Sequence, residues 1–187
     1  STNYDPKEGA KQQKIVGGKN GYGAKLTNIF SLEFKIETVD VSRGLKYKQS
    51  FSNNMKEKKR PSVTSYTGKP YTKITWTTDF GRFGITNFSP DMISLMKRRV
   101  YDISGVTDKS LSVHYNGAHI KMKTFEKYMD LYLNDDKRVF QQIHERWELG
   151  LTLSKNDKFE QVSFVNGIAT PKGGKHVDFI TKIIVQK

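Results

Sequence analysis

Gly17-Gly18-Lys19-Asn20-Gly21-Tyr22-Gly23-Ala24-Lys25-Leu26 is the stretch on which the fold assignment turns. Four glycines in seven positions expose backbone N–H groups and permit positive φ. A helix start just behind them adds the positive end of a peptide dipole, and the combination favours a phosphate. Lys19 and Lys25 add cationic charge. The familiar phosphate patterns do not fit. A P-loop needs Lys directly after its last glycine and then Ser or Thr; Gly18 and Gly23 have the right separation, but Ala24 precedes Lys25 and Leu26 follows it. A dinucleotide loop needs a third glycine at position 26 and a buried strand in front, and Ile15-Val16 is too short an apolar run for that strand. Spacing by itself leaves two readings open, a flexible glycine-rich loop and an unclassified phosphate cradle.

Working outward, residues 4–20 are polar and read as a mobile loop. A short helix is expected from Ala24 to about Asn28. Phe30, Leu32, Phe34 and Ile36 then alternate with Ser31, Glu33, Lys35 and Glu37, the pattern of a half-buried antiparallel strand. Val39 to Gly44 turns the chain into a partner strand over Lys46–Ser52. Lys56–Tyr71 reads as a basic, proline-containing connection, and Ile74 and Trp76 mark another strand. Ser89-Pro90-Asp91 is a helix start with a capping hydroxyl, proline at the first position and an acid in the first turn. Met92, Met96, Val100 and Ile103 follow at helical spacing, with Gly105 as the stop. Leu111–Tyr115, Asn116-Gly117 and Ala118–Met122 predict a hairpin, and Thr124 caps a helix through Phe125, Tyr128, Met129 and Tyr132. Asn134–Arg138 is a polar break. Beyond it, a strand is expected over Trp147–Leu153, a turn at Lys155-Asn156-Asp157, a returning strand over Phe159–Val165, a loop at Thr170–Gly174 and a helix over Lys175–Lys187 with Val177, Ile180 and Ile184 on one face. The mixture is α+β with mostly antiparallel sheet and a second small unit after about residue 138.

Composition narrows the function classes. The 187 residues contain no cysteine, which excludes disulfides, cysteine-based zinc sites and a cysteine nucleophile. No apolar run approaches the ~18 residues of a membrane span, and Ser1-Thr2-Asn3-Tyr4-Asp5 does not read as a signal peptide. The net charge of +13 is weighted toward the first 60 residues and invites a nucleic-acid partner. Its densest run, Lys56-Glu57-Lys58-Lys59-Arg60, reads as a solvated loop before it reads as a binding site. His114, His119, His144 and His176 lack metal-ligand spacing, so no metal site is expected from them. Glu145 and Glu148 read as surface groups, and there is no nucleophile-elbow or triad pattern. Phe30, Phe34, Trp76 and Trp147 sit at strand period and suit core packing rather than base stacking.

The string Gly-Lys-Asn-Gly-Tyr-Gly-Ala-Lys-Leu over residues 18–26 resembles the ATP lid of the eukaryotic-type DNA topoisomerase II family. Ser1-Thr2-Asn3-Tyr4-Asp5 resembles the segment before that lid. Arg98-Arg99-Val100-Tyr101-Asp102-Ile103 is similar to the family's Arg-Arg-x-Tyr-Asp-Ile helix. Arg146-Trp147-Glu148 resembles the start of its first transducer strand, and Gln161–Thr170 with Gly173–Asp178 resembles its most characteristic transducer stretch. The motifs occur in order over essentially the whole chain.

The resemblance implies a partial GHKL (Bergerat) ATPase α/β sandwich, the fold shared with gyrase and MutL, running into the start of an α+β transducer domain. It divides the chain into 1–138, with the ATP lid at 4–25, and 139–187. It assigns Ser1, Thr2 and Asn3 to the ribose and phosphates of ATP, and Gly18, Lys19, Asn20, Gly21, Tyr22, Gly23, Ala24 and Lys25 to the triphosphate. Lys19 stands where the family usually has Arg, keeping the charge but losing the planar two-pronged fork. The family's general base and Mg²⁺ ligand are expected before residue 1 and its γ-phosphate-reaching Lys after residue 187. The chain thus reads as a middle piece of the ATPase region, with no catalytic residue and no metal ligand of its own, inactive alone. ATP, Mg²⁺, double-stranded DNA, a homodimer closed through the ATPase gate, and a nuclear location without membrane are the implied cofactors, partners and compartment. Two other readings remain: another GHKL ATPase such as a MutL-like protein, and a basic nucleic-acid-binding module with no nucleotide site.

Overall fold

The computed structural model describes residues 17, 18, 20–133, 137–155 and 157–186. The expected loop over 4–16, the residues Ser1, Thr2, Asn3 and Lys19, most of the polar break at 134–138 and the middle of the turn at 155–157 lie outside them. The described residues form two compact units, one over Gly18–Phe88 and one over Ser89–Gln186 together with Gly17.

The first unit opens with helix α1 (Gly23–Ile29) and continues into a five-stranded antiparallel sheet: β1 (Ser31–Asp40), β2 (Leu45–Ser52), β3 (Glu57–Lys58), β4 (Ser62–Ser65) and β5 (Thr72–Thr78). β1 lies between β2 and β5, while β3 and β4 both pair with the outer edge of β2. The connection expected over Lys56–Tyr71 thus contains two short strands. Its two strands are one edge interrupted at Pro61, which has no N–H to give to the ladder. The alternation over Phe30–Ile36 does form β1, but its phase breaks. Ser31 pairs with Thr78 and Glu33 with Thr77, so Leu32 is an extra residue in the β1–β5 ladder. This bulge leaves Leu32 exposed and buries Ser31, whose hydroxyl donates to the Thr27 carbonyl at 2.5 Å. Beyond the bulge the expected phase returns. Phe34 is buried, flanked in register by Phe51 and Trp76, with the Phe34 and Phe51 rings edge to face at 6.2 Å.

The second unit is built on α2 (Pro90–Val106), capped as expected: Ser89 Oγ accepts from the Met92 N–H at 3.2 Å. Gly105 does not stop this helix. It lies inside the last turn, buried, where a Cβ would come within 2.6 Å of Tyr128. The glycine is there for close approach of α3 (Phe125–Met129), which is capped by Thr124 Oγ1. Between the helices, β6 (His114–Tyr115) and β7 (Ala118–His119) form the expected hairpin, with Asn116 and Gly117 at φ 49° and 80°.

β8 (Arg138–His144) and β9 (Trp147–Thr152) follow as a hairpin. The β9 strand was expected, but its partner was not. The segment Phe159–Val165 does not return to β9; only β10 (Phe164–Val165) forms there, paired with β11 (Ile168–Ala169) around Asn166-Gly167. α4 (Lys175–Val185) closes the chain. The core of this unit is aromatic and centred on Tyr128, 2% exposed, with the Phe125, Tyr132 and Phe164 rings 5.5–6.1 Å from it.

Candidate nucleotide site

α1 is anchored at its C-terminal end and exposed at its N-terminal end. Asn28 is buried, Ser31 ties back to Thr27, and the Phe30 ring packs 5.2 Å from Phe83 under the Arg82 guanidinium. Arg82 is held there because Asp79 caps the short 3-10 turn over Phe80–Phe83 and accepts from Asn54 Nδ2 at 3.0 Å. At the other end, Tyr22 occupies the N-cap and supplies no side-chain cap. The first helical bond runs from the Leu26 N–H to the Tyr22 carbonyl at 2.8 Å. The N–H groups of Gly23, Ala24 and Lys25 come before that bond, on residues that are all exposed. Gly21 holds φ at +68°, and a Cβ at Gly18 or Gly23 would meet open space. The arrangement offers backbone donors, one cation and a left-handed turn to solvent, which is the chemistry a phosphate chain takes.

Of the residues the lid resemblance assigns, Gly18, Asn20, Gly21, Tyr22, Gly23, Ala24 and Lys25 are thus gathered at one exposed helix start. Ser1, Thr2, Asn3 and Lys19 lie outside the described residues. No catalytic group is found beside these. Glu148 sits in the β8–β9 hairpin opposite Gln142; partial burial raises its pKa, and no hydrogen bond among the described residues aims it at a reaction. His114 and His119 face each other across their hairpin with ring centroids 5.0 Å apart, and His176 Nε2 lies 3.2 Å from Thr170 Oγ1. Among the described residues no group of three or more His, Asp or Glu comes together for a metal ion.

The other motifs are structural, a role that spacing did not disclose. Asp102 of the Arg98–Ile103 segment is 3% exposed and accepts from Tyr128 Oη at 2.7 Å; Tyr132 Oη adds a contact to Tyr128 at 2.9 Å. Desolvation and these two partners push the Tyr128 phenol far above its ordinary pKa. Arg99 Nη1 donates to the Gly167 carbonyl at 2.7 Å and so ties α2 to the β10–β11 turn. The stretch Gln161–Asp178 folds onto itself: Gln161 Nε2 donates to the Thr170 and Pro171 carbonyls, and Ser163 Oγ lies 2.6 Å from Thr170 Oγ1. The only signal in the sequence for these roles was the presence of polar residues inside apolar-periodic segments.

No protein-family model matches the chain. Full-length relatives do. It is 46% identical over 194 residues to DNA topoisomerase 2 of Arabidopsis thaliana, covering 98% of this chain and 13% of that protein. It is 42% identical over 207 residues to DNA topoisomerase 2 of Saccharomyces cerevisiae, covering all of this chain and 14% of that protein. It is 42% identical over 191 residues to the DNA topoisomerase 2 of Acanthamoeba polyphaga mimivirus, covering 99% and 15%. The chain therefore spans about one seventh of the length of the curated relatives it matches. Among solved structures, the ATPase region of Saccharomyces cerevisiae topoisomerase II superposes with a TM-score of 0.88 at 44% identity, over 100% of this chain and 48% of that one. The ATPase and transducer domains of Balamuthia mandrillaris DNA topoisomerase II give 0.85 at 39% identity over 97% and 46%. The 43K ATPase domain of Thermus thermophilus gyrase B, at 19% identity and a TM-score of 0.57, shares the fold. An exposed glycine-rich helix start at the expected position, in a chain alike along its whole length to these ATPase regions, leads to one assignment: the chain belongs to the eukaryotic-type DNA topoisomerase II family and corresponds to part of its ATPase region.

Proposed function

We propose that this chain is the ATP-binding and N-gate part of a type II DNA topoisomerase, coupling ATP binding and hydrolysis to passage of one DNA duplex through another. The observation that carries the reading is the uncapped, solvent-facing start of α1 behind Gly18–Tyr22, within a chain alike throughout to named topoisomerase ATPase regions. In this reading the lid at 4–25 folds over the nucleotide. The N–H groups of Gly23, Ala24 and Lys25 donate to phosphate oxygens, and Gly21 supplies the left-handed turn that lets the backbone wrap them. Lys19 and Lys25 neutralise charge, while Ser1, Thr2 and Asn3 hold the ribose side. ATP supplies the differential binding energy and, on hydrolysis, the reset of the gate; the chain's own part is to bind, order and exclude water. Mg²⁺ belongs to this chemistry, and the family resemblance assigns its ligand to a segment outside residues 1–187. Residues 1–138 are read as nucleotide domain and 139–187 as the beginning of the transducer. The working unit is a homodimer on double-stranded DNA in the nucleus; no helix among the described residues is long and apolar enough to cross a membrane.

The test uses the full-length protein. Residues 17–29 are expected to gain protection from hydrogen exchange when a non-hydrolysable ATP analogue is added, and catenated DNA circles are expected to be resolved only with ATP. Unchanged exchange across 17–29 under saturating nucleotide, or decatenation without ATP, would overturn the reading.

A further inference from the structure

The run Lys56-Glu57-Lys58-Lys59-Arg60 has the composition of a solvated loop, but it is not folded as one. β3 is bonded to β2 through Phe51↔Lys58 and Ser52↔Glu57. The Lys59 N–H donates to the Ser50 carbonyl at 3.0 Å, and Gln49 Nε2 donates to the Lys59 carbonyl at 3.2 Å. The backbone at Lys58 and Lys59 is therefore pinned to β2, with Lys56 in the turn before β3 and Arg60 just after it. The single acid in the run is turned into its own hairpin: Glu57 accepts from Ser52 Oγ at 2.9 Å and Asn53 Nδ2 at 3.5 Å.

The unit's other acids among the described residues are also taken. Glu33 pairs with Lys35 at 2.9 Å and Glu37 with Lys48 at 2.6 Å. Asp40 is held by Ser42 and Arg43, and Asp79 by Asn54 and the Arg82 N–H. Lys56, Lys58, Lys59 and Arg60 are exposed, and among the described residues none of them is in an ion pair; Lys59 acts on Glu33 only through space. The result is a run of four exposed cations, two of them (Lys58 and Lys59) on backbone bonded to β2, with the described neighbouring acids already satisfied.

We propose that this β3 edge is a docking surface for the phosphate backbone of duplex DNA. The proposal rests on the reading of this protein as one that handles duplex DNA; the charge arrangement stands on its own geometry. Cations held on a hydrogen-bonded strand lose less freedom on meeting a phosphate than cations on a loose loop. Phosphates are the strongest available match for a concentrated positive edge with no base-reading side chains between its charges. The run Lys56–Arg60 spans up to roughly 13 Å at about 3.3 Å per residue, comparable to about four phosphates along one strand of a duplex. Edge lysines also serve to block strand-to-strand aggregation, and the experiment separates the two roles.

In the full-length protein, binding of a 30-base-pair duplex is measured by fluorescence anisotropy between 50 and 200 mM salt, with nucleotide binding followed in parallel. The variant is Lys56→Gln, Lys58→Gln, Lys59→Gln and Arg60→Gln together; a companion carries Arg at the three lysine positions. If all four cations meet phosphates, the slope of log K against log[salt] shrinks by about 3.6, so the wild-type affinity falls about 150-fold more than the variant's across that range. The arginine companion keeps the wild-type slope. An unchanged slope and affinity in a glutamine variant that still binds nucleotide would overturn the proposal. So would a variant that only aggregates while its soluble fraction binds DNA like wild type, or a wild-type edge whose loss weakens single-stranded RNA or anionic vesicles but not duplex DNA. Failure of nucleotide binding by the wild-type protein would instead count against the ATPase reading and leave the duplex result to be judged separately.

Discussion

Replacing Gly105 by Ala should destabilise the second unit, although helix propensity predicts the reverse. Ala is about 1 kcal/mol better than Gly in a helix interior. Here, however, the added Cβ would sit 2.6 Å from Tyr128 Cβ and 2.7 Å from its Cγ and Cδ2. Tyr128 cannot step aside cheaply: it is 2% exposed, packed at 5.5 Å against Phe164 and bonded to Asp102 at 2.7 Å. To reach ordinary contact the α2 and α3 backbones must part by about 1 Å, and overpacking of this kind costs about 1–3 kcal/mol. Stretching the Tyr128–Asp102 bond leaves a buried carboxylate under-satisfied, worth about 1.5–3 kcal/mol more where the acceptor is charged. Against the gain of about 1 kcal/mol, the net expectation is a loss of about 1.5–5 kcal/mol, or roughly 6–40 °C in the midpoint of a unit this size. Thermal unfolding followed by near-ultraviolet circular dichroism reads the tyrosine packing directly. The control is the same substitution in a Tyr128→Gly background. With Cβ, Cγ and Cδ2 of residue 128 all gone the added methyl has room, so Gly105→Ala there should be neutral or stabilising, a reversal of sign. A wild-type-like or raised midpoint for Gly105→Ala alone, or equal destabilisation in both backgrounds, would refute the close-approach argument.

Further expectations follow from other contacts. Ser89→Ala removes the N-terminal side-chain cap of α2 and should cost about 1 kcal/mol, checked by urea unfolding with an unchanged m-value. Glu37 is held below the usual carboxylate range first by its hydrogen bond to Lys48 and then by that from Tyr71, so its folded pKa lies below its unfolded one. Its stabilising contribution is complete above the unfolded value near 4.5 and is lost as pH falls through the lower folded value; Glu37→Gln should flatten that acid limb in pH-dependent unfolding. The same pair pushes the Tyr71 phenol up to about 12, chiefly through its bond to Glu37. Ultraviolet titration should therefore show one tyrosine fewer ionising late in the Glu37→Gln protein. Gly21→Val places a β-branched residue at φ +68°, a strain of about 1–2 kcal/mol that should weaken nucleotide affinity about 5–30-fold by calorimetry while leaving the unfolding midpoint of the sheet unmoved.

The helix start behind the glycines was legible because its signal is local. Glycine spacing, a nearby helix start and lysines at fixed offsets are properties of ten consecutive residues, and the helix begins at Gly23, one residue from where it was read. The strands with clean alternation were legible for the same reason. What spacing could not disclose was the phase break at Leu32, because a bulge is decided by the partner strand and not by the strand that carries it. Nor could it disclose β3 and β4: apart from Val63 their residues are charged or hydroxylated, and they become strands because β2 has an open edge to satisfy. The buried Asp102 was invisible for a third reason. Nothing within its own helix distinguishes a carboxylate facing solvent from one held by a tyrosine on a helix 26 residues later.

The two Asn-Gly turns show which local signals outrank others. Asn116-Gly117 was read as a hairpin and is one; Asn166-Gly167 has the same residues and nearly the same dihedrals, φ 49° and 74°, yet Phe159–Val165 was expected to pair back onto β9. The second turn prevents that. Residues at positive φ reverse the chain within two positions, so Val165 must pair with Ile168 and Phe164 with Ala169. Apolar alternation says only that a segment will pair somewhere, whereas an Asn-Gly turn dictates with which residues. The reversal is then reinforced from outside: Arg99 donates to the Gly167 carbonyl at 2.7 Å. The Phe164 ring meets both Phe125 and Tyr128 edge to face, at 6.2 and 5.5 Å. The short hairpin therefore delivers Phe164 to the Tyr128 cluster, a position that a long strand returning to β9 would have denied it. Where a primed turn and a short alternating run compete for the same residues, the turn decides the pairing and the run supplies the side chains.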